Sequence, residues 1–271
     1  MAKRINSGSA VKFCGFIAFG LIVIAVAGCS KHDDDTLVVG MELAYPPFEM
    51  RNDKNEPDGI SVRMAEDLGE FLNRPVQIMD VAWDGIIPAL KSGKIDLIIS
   101  SMTKTEERAR AISFSDGYVT NGLCVLVQKN SAIKSVEDIF KKDLRFAVKL
   151  ATTGEIWAKA NLPDAEFTTL DTAATCALEV AQGRVDAFIY DQISIYKYWK
   201  KHQDTTHPIL NPIREETWGI GLRKEDSELQ NEVNSFLKAY RDSGGFDKLA
   251  DIYMKEEKAT FEKMGVPFVF H

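Results

Sequence analysis

Two matching stretches of this sequence end in polar residues whose types suit ligand chemistry. One runs Gly93-Lys-Ile-Asp-Leu-Ile-Ile-Ser-Ser-Met-Thr-Lys-Thr-Glu-Glu-Arg108, and its fainter echo runs Gly183-Arg-Val-Asp-Ala-Phe-Ile-Tyr-Asp191. Both read glycine, basic, β-branched, aspartate, then an apolar run closed by polar groups. The first close offers Ser100, Ser101, Thr103 and Arg108, and the second offers Asp191. A cation among hydroxyls on one wall and a lone carboxylate on the other form a receptor for a zwitterion. Each residue also has a plainer explanation. Arg108, beside Glu106 and Glu107, could be a solvated helix charge, and Asp191 could simply cap the helix that follows it.

Elements must carry these groups. An unbroken apolar run of this length suits a strand buried on both faces of a parallel sheet. In open α/β sheets, ligands bind beyond the carboxyl ends of such strands. Strands are expected at residues 37–40, 76–79, 95–100, 123–127, 146–149, 167–170, 187–190 and 217–222. Helices are expected between them: one through Val62, Ala65, Leu68 and Leu72, then 85–91, one opening near Thr105, 135–140, 153–160, 172–182 and 192–199. Two more close the chain, at 227–241 and 246–255. Strands alternating with helices imply an α/β fold with βαβ units. The repeated motif suggests two similar lobes. The economical arrangement is a first lobe interrupted by the second, with strand-like connections near residues 118–123 and 217–221.

The N-terminus belongs to neither lobe. Lys3, Arg4 and Lys12 precede an apolar stretch over residues 13–27, which ends in Val26-Ala-Gly-Cys29. That order of basic, apolar and small residues reads as an export signal, and the stretch is short for a membrane-spanning helix. Cysteine directly after Ala-Gly resembles the bacterial lipobox, so residues 1–28 are expected to be a lipoprotein signal peptide, with Cys29 lipidated. Residues 29–36 then form a polar tether. Removing residues 1–28 takes away three basic residues and no acidic ones, leaving 30 basic against 40 acidic. Such a balance argues against a nucleic-acid partner. Cys124 and Cys176 sit in apolar surroundings and read as free buried thiols. His202 and His207 lie in a polar, loop-like region and His32 in the tether; with His271, at the end of the apolar C-terminal tail, all four read as surface residues, and no metal site or cofactor is expected. No G-x-S-x-G, Walker or H-E-x-x-H motif is present.

Several further motifs occur in order: Val39-Gly-Met-Glu-Leu-Ala-Tyr-Pro-Pro-Phe-Glu49, Asp58-Gly-Ile60, Trp83-Asp-Gly-Ile-Ile-Pro-Ala-Leu90, and Phe114-Ser-Asp-Gly-Tyr118. With the stretch ending at Arg108, they resemble the family 3 extracellular solute-binding proteins, the polar amino-acid receptors of ABC importers. The similarity spans residues 37–255. Within that family, Phe114-Ser-Asp-Gly-Tyr118, Gly85-Ile-Ile-Pro-Ala-Leu90 and Val148-Lys149 look most like the glutamine-binding proteins.

The resemblance implies a two-lobed, type II periplasmic-binding-protein fold, with two parallel-rich sheets flanked by helices and a two-strand hinge. Residues 37–119 and 218–271 would form lobe 1, and residues 120–217 lobe 2. It implies that Arg108 grips an α-carboxylate in a bidentate geometry that lysine cannot reproduce. Thr103, through hydroxyl and backbone, and the Thr153 backbone N–H at a helix start would complete that grip. Asp191 would take the α-ammonium with help from Ser101, and Tyr45 and Trp83 would sandwich the ligand's aliphatic part. Glu42, Lys149 and Tyr190 would face the side chain, with Lys149 opposing lysine or arginine by like charge. Glutamine is the first choice of ligand, followed by glutamate, asparagine or another polar amino acid. The implied protein is a monomeric, lipid-anchored receptor in the periplasm or on the outer face of the cell membrane. It would hand free amino acid to an ABC permease and be no enzyme. The alternatives are an enzyme like the cyclohexadienyl dehydratases, which share the fold, or a ligand-presenting sensor component.

Overall fold

The computed structural model describes residues 35–141 and 143–265. The expected signal peptide, Cys29, His32, His271 and the end of the C-terminal tail lie outside the described residues. In chain order the elements are β1 (Leu37–Met41), a small hairpin of β2 (Met50–Arg51) and β3 (Pro57–Asp58), α1 (Ile60–Leu72), β4 (Val76–Asp80), α2 (Ile86–Lys91) and β5 (Leu97–Ile98). There follow α3 (Glu106–Ala111), β6 (Ser113–Phe114), β7 (Val119–Gln128), β8 (Arg145–Lys149), α4 (Thr153–Asn161), β9 (Glu166–Leu170), α5 (Ala173–Ala181) and β10 (Ala187–Asp191). The chain continues through α6 (Gln192–Lys201), β11 (Thr206–Trp218), β12 (Gly221–Leu222), α7 (Ser227–Asp242), α8 (Gly245–Tyr253) and α9 (Lys255–Met264). Short 3₁₀ turns occupy Trp83–Gly85 and Val136–Phe140.

The strands form two five-stranded sheets, ordered β4-β1-β5-β12-β6 and β11-β7-β10-β8-β9. Parallel pairing joins β4, β1 and β5 in the first and β10, β8 and β9 in the second. The remaining pairs are antiparallel, so both sheets are mixed. The reason is topological. Long β7 carries the chain into the second sheet and β11 carries it back out, side by side and in opposite directions.

The repeated motif has a structural meaning in both sheets. Gly93 and Gly183 follow α2 and α5 with φ of +75° and +74°, a left-handed conformation that glycine adopts without steric cost. Asp96 and Asp186 then each accept a backbone N–H at the start of the neighbouring parallel strand, from Val38 and from Arg145, both at 2.9 Å. The echo therefore stops a helix and aligns the next strand pair.

Strand β1 explains its own apolar run. Leu37, Val39 and Met41 face a core shared with α1, while Val38 faces a second core with α2. A third core lies on the α4 side of the second sheet. The expected strand over residues 95–100 makes ladder contacts only at Leu97 and Ile98, although every residue of the run except the half-buried Asp96 is buried. The region around His207, expected as a loop, is instead strand: His207 pairs with Val127 in β11 while its side chain stays exposed. The final helix expected at 246–255 ends at Tyr253, and α9 begins two residues later. Cys124 and Cys176 are both free and buried.

Candidate ligand-binding site

A small cavity of about 20 Å³ between the two sheets is lined by Glu42, Tyr45, Trp83, Ser101, Thr103, Arg108, Thr153, Tyr190 and Asp191, along with Glu49, Ser100, Leu123 and Thr152. It thus gathers nine of the ten residues singled out from sequence. Lys149, the tenth, sits behind Glu42 and forms an ion pair with it.

Arg108 reaches the cavity from α3. Thr105 caps that helix, its side chain accepting the Arg108 N–H at 3.1 Å. Arg108 is 9% exposed, and its guanidinium donates to two carbonyls, Thr103 O at 2.9 Å and Ala151 O at 3.3 Å. Among the described residues no carboxylate comes within ion-pair distance of it. The solvated-charge reading therefore fails. Burial pushes its pKa down, while Glu216 and Asp191 nearby partly restore it.

Asp191 stands at the N-cap of α6 yet makes no side-chain cap bond. Its two oxygens instead accept from the Tyr45 hydroxyl at 2.9 Å and the Asn121 amide at 2.8 Å. Burial, reinforced by Glu216, pushes its pKa up to about 7. A buried carboxylate that holds its proton this readily lacks a cation.

The remaining walls are more committed than the sequence suggested. Trp83 lies over both cations, 5.1 Å from Arg108 and 5.5 Å from Lys149, and its Nε1–H donates to Ala151 O at 2.9 Å. Tyr45 packs edge-on against Tyr190 and Trp218 at 5.9 and 5.8 Å. The Ser100 hydroxyl accepts the Glu42 N–H at 2.9 Å, so it fixes Glu42 rather than facing a ligand. The Tyr190 ring stacks on Phe188 at 5.2 Å, and its hydroxyl makes no hydrogen bond to the described residues. Thr153 opens α4 after the Thr152 cap, so its backbone N–H has no intrahelical acceptor. Two residues at the cavity rim hold left-handed backbone without being glycine: Ser101 at φ +48° and Ala151 at φ +59°. Such strain concentrates where a chain must aim groups at a site. Here it turns the segments leaving β5 and β8 toward the cavity.

The residue-37–256 region matches the family model for bacterial extracellular solute-binding proteins, family 3. The chain belongs to that family. The L-cystine-binding protein of Escherichia coli is 29% identical over 218 residues, covering 80% of this chain and 81% of that protein. A glutamine-binding protein of an ABC transporter from Bacillus subtilis is 31% identical over 235 residues, with 84% of each covered. Among solved structures, an ancestral amino acid-binding protein, a precursor of cyclohexadienyl dehydratase, matches with a TM-score of 0.75 and 38% identity. That match covers 81% of this chain and 95% of that one. The fold is therefore the type II periplasmic-binding-protein fold.

For a family 3 member, three polar residues of the site were not anticipated from sequence. Glu216 on β11 is 5% exposed and accepts the hydroxyls of Thr103 and Thr153. Asn121 holds Asp191. Glu49 is 1% exposed, accepts from Ser61 at 2.6 Å and Ser101 at 3.2 Å, and burial pushes its pKa to about 8. A period-two signal was available for the first two. Glu216 alternates with Trp218, and Asn121 with Leu123, so each falls on an inward-facing strand position.

Proposed function

We propose that this protein is an exported receptor that captures a polar amino acid, glutamine first, and delivers it to an ABC permease. The observation that carries the reading is the pairing of opposite unmet charges in one cavity: Arg108 buried without a carboxylate, and Asp191 buried without a cation. An α-carboxylate on Arg108 and the N–H groups of Thr103 and Thr153, with an α-ammonium on Asp191, answers both at once. Each charge alone would be costly to bury.

The residues involved come from both sheets. Glu42, Tyr45, Trp83, Ser101, Thr103 and Arg108 belong to the first half of the chain's fold, and Lys149, Thr153, Tyr190 and Asp191 to the second. We take residues 37–119 with 218–271, and residues 120–217, as lobes that close on ligand, with β7 and β11 carrying the hinge. Ligand then favours the closed form because only that form presents both charges to one molecule.

Selectivity rests on Glu42 and Lys149. As an ion pair they present a site end with no net charge, which favours an uncharged amide over a cationic side chain. Tyr190 supplies a free hydroxyl beside it. Isothermal titration against the amino acids tests the reading: glutamine should give the tightest binding, and no heat with any amino acid would sink it. Turnover of a cyclohexadienyl acid to an aromatic product would instead support an enzyme of the kind the ancestral neighbour preceded, with Glu49 as its protonated acid.

The ion pair makes a separate expectation. Lys149→Ala leaves the Glu42 carboxylate uncompensated, so preference should shift about tenfold or more toward lysine and arginine. Competition titrations read this directly. An unchanged glutamine-to-lysine ratio would place the pair away from the ligand's side chain.

Export with lipid attachment at Cys29 completes the proposal, and rests on the order of charged, apolar and small residues before that cysteine. Metabolic labelling with a fatty acid, lost on Cys29→Ser, would test it.

A further inference from the structure

Ala151 keeps its left-handed backbone, φ +59°, although its Cβ disfavours that conformation. Its carbonyl is the meeting point of two donors from the other sheet's segments. The Trp83 indole N–H reaches it at 2.9 Å and the Arg108 guanidinium at 3.3 Å. Trp83 follows β4 and Arg108 lies in α3, both attached to the first sheet, whereas Ala151 follows β8 of the second. The neighbouring backbone on each side is tied to its own sheet, Val81 N–H to Met41 O at 2.8 Å and Leu150 N–H to Leu170 O at 2.9 Å.

Glu155, in the first turn of α4, fixes Ala151. Its Oε2 accepts the Ala151 N–H at 2.6 Å. Its Oε1 accepts from Lys159 Nζ at 2.8 Å and from the Thr169 hydroxyl at 3.2 Å. In an ordinary capping box, an acid at this third helical position takes the N–H of the cap residue. Here the cap residue is Thr152, whose N–H goes to Lys149 O at 3.4 Å, and Glu155 takes the N–H one residue earlier. Burial would raise the Glu155 pKa, but Lys159 and the Ala151 N–H outweigh it and hold it low, so the acceptor is a carboxylate.

We propose that Glu155 is a positioning residue: by holding the Ala151 peptide left-handed, it aims one carbonyl at both Trp83 and Arg108, and so sets the guanidinium fork that receives the ligand. Its value to binding rests on the receptor reading, whereas the aim of the carbonyl is a property of the chain itself. Released from Glu155, Ala151 would relax toward the backbone that a residue with a Cβ prefers, and its carbonyl would swing away from both donors. Arg108 would then keep the Thr103 carbonyl on one side and lose its anchor on the other.

Proton exchange of the Trp83 indole, read by NMR on protein carrying isotope-labelled tryptophan and without amino acid, tests the aim independently of ligand identity. Loss of one signal in Trp83→Phe assigns it. In Glu155→Ala the indole should exchange about tenfold faster, the contribution of one hydrogen bond. Glu155→Gln keeps an acceptor for the Ala151 N–H and should stay closer to wild type, which also separates loss of aim from loss of folding. Calorimetric titration with glutamine then reads the effect on binding. Glu155→Ala should weaken it about tenfold, and by less in a Trp83→Phe background, because the two changes remove parts of one contact. A residue that merely stabilised α4 would lower the melting temperature, leave the indole unchanged and add to Trp83→Phe. An indole that exchanges alike in wild type and folded Glu155→Ala overturns the proposal, as does a wild-type indole that exchanges freely. A protected indole released by Glu155→Ala, with no amino-acid binding by wild type, would keep the positioning role and reject the receptor reading.

Discussion

Replacing Arg108 with lysine should weaken binding of every amino-acid ligand by about two orders of magnitude or more, even though the positive charge is kept. The geometry explains why. The guanidinium is anchored from both sides, by Thr103 O and by Ala151 O, and lies over the Trp83 ring. Those contacts fix the plane of the fork and leave its remaining N–H groups for a carboxylate. An ammonium has a rotating trio of donors and no plane to fix, so it satisfies either the carbonyls or the ligand. Two orders of magnitude correspond to about 2.7 kcal/mol, within the range for a buried charge-assisted pair. Calorimetric titration reads the loss, and a melting temperature close to wild type shows that the fold survives. The same titration should show Arg108→Ala costing far more affinity than Lys149→Ala. Comparable losses would mean that the carboxylate clamp lies elsewhere.

What sequence could and could not reveal follows from the range of each interaction. The Gly–basic–hydrophobic–Asp echo was legible because it is local: a helix stop, then an aspartate that caps the adjoining strand. Arg108 and Asp191 were legible because each closes such a segment. The helix cap at Thr105 was equally readable, since cap and capped residue are three apart. The Glu42–Lys149 pairing was not, because it joins residues 107 positions apart, and each had been assigned to the ligand rather than to the other. The same holds for Glu216, whose acceptors lie 113 and 63 positions away. Its period-two spacing from Trp218 marks an inward-facing position, but nothing local says which distant hydroxyls meet it there. The break at Met254 and the strand through His207 were missed for a related reason. Packing against distant elements outweighed weak local preference.

That distinction matters most for Asp191, where environment reverses the ordinary chemistry of the residue. Burial and Glu216 raise its pKa to about 7, whereas an aspartate in the unfolded chain titrates near 3.9. Between those values the folded, ligand-free protein holds a proton that the unfolded chain has released. Stability from this group is therefore greatest at low pH and falls as pH rises toward 7, by up to about 1.4 kcal/mol per unit. Glu49, raised to about 8, extends the decline to that pH. His202, whose pKa burial lowers, works in the opposite sense. Ligand binding should run the other way from Asp191. An α-ammonium needs the ionised carboxylate, so affinity should rise up to about tenfold per unit between pH 5 and 7 and level off above. Lys149 and Arg108 lower the Asp191 pKa but do not cancel its burial. Thermal melts with and without glutamine from pH 5 to 8 test both halves: the ligand-free melting temperature should drop across this range while the ligand-induced increase grows. Asp191→Asn should flatten part of the drop and remove the increase. A ligand-induced increase largest at pH 5 would show that Asp191 does not receive the ammonium, and the zwitterion reading would fall with it.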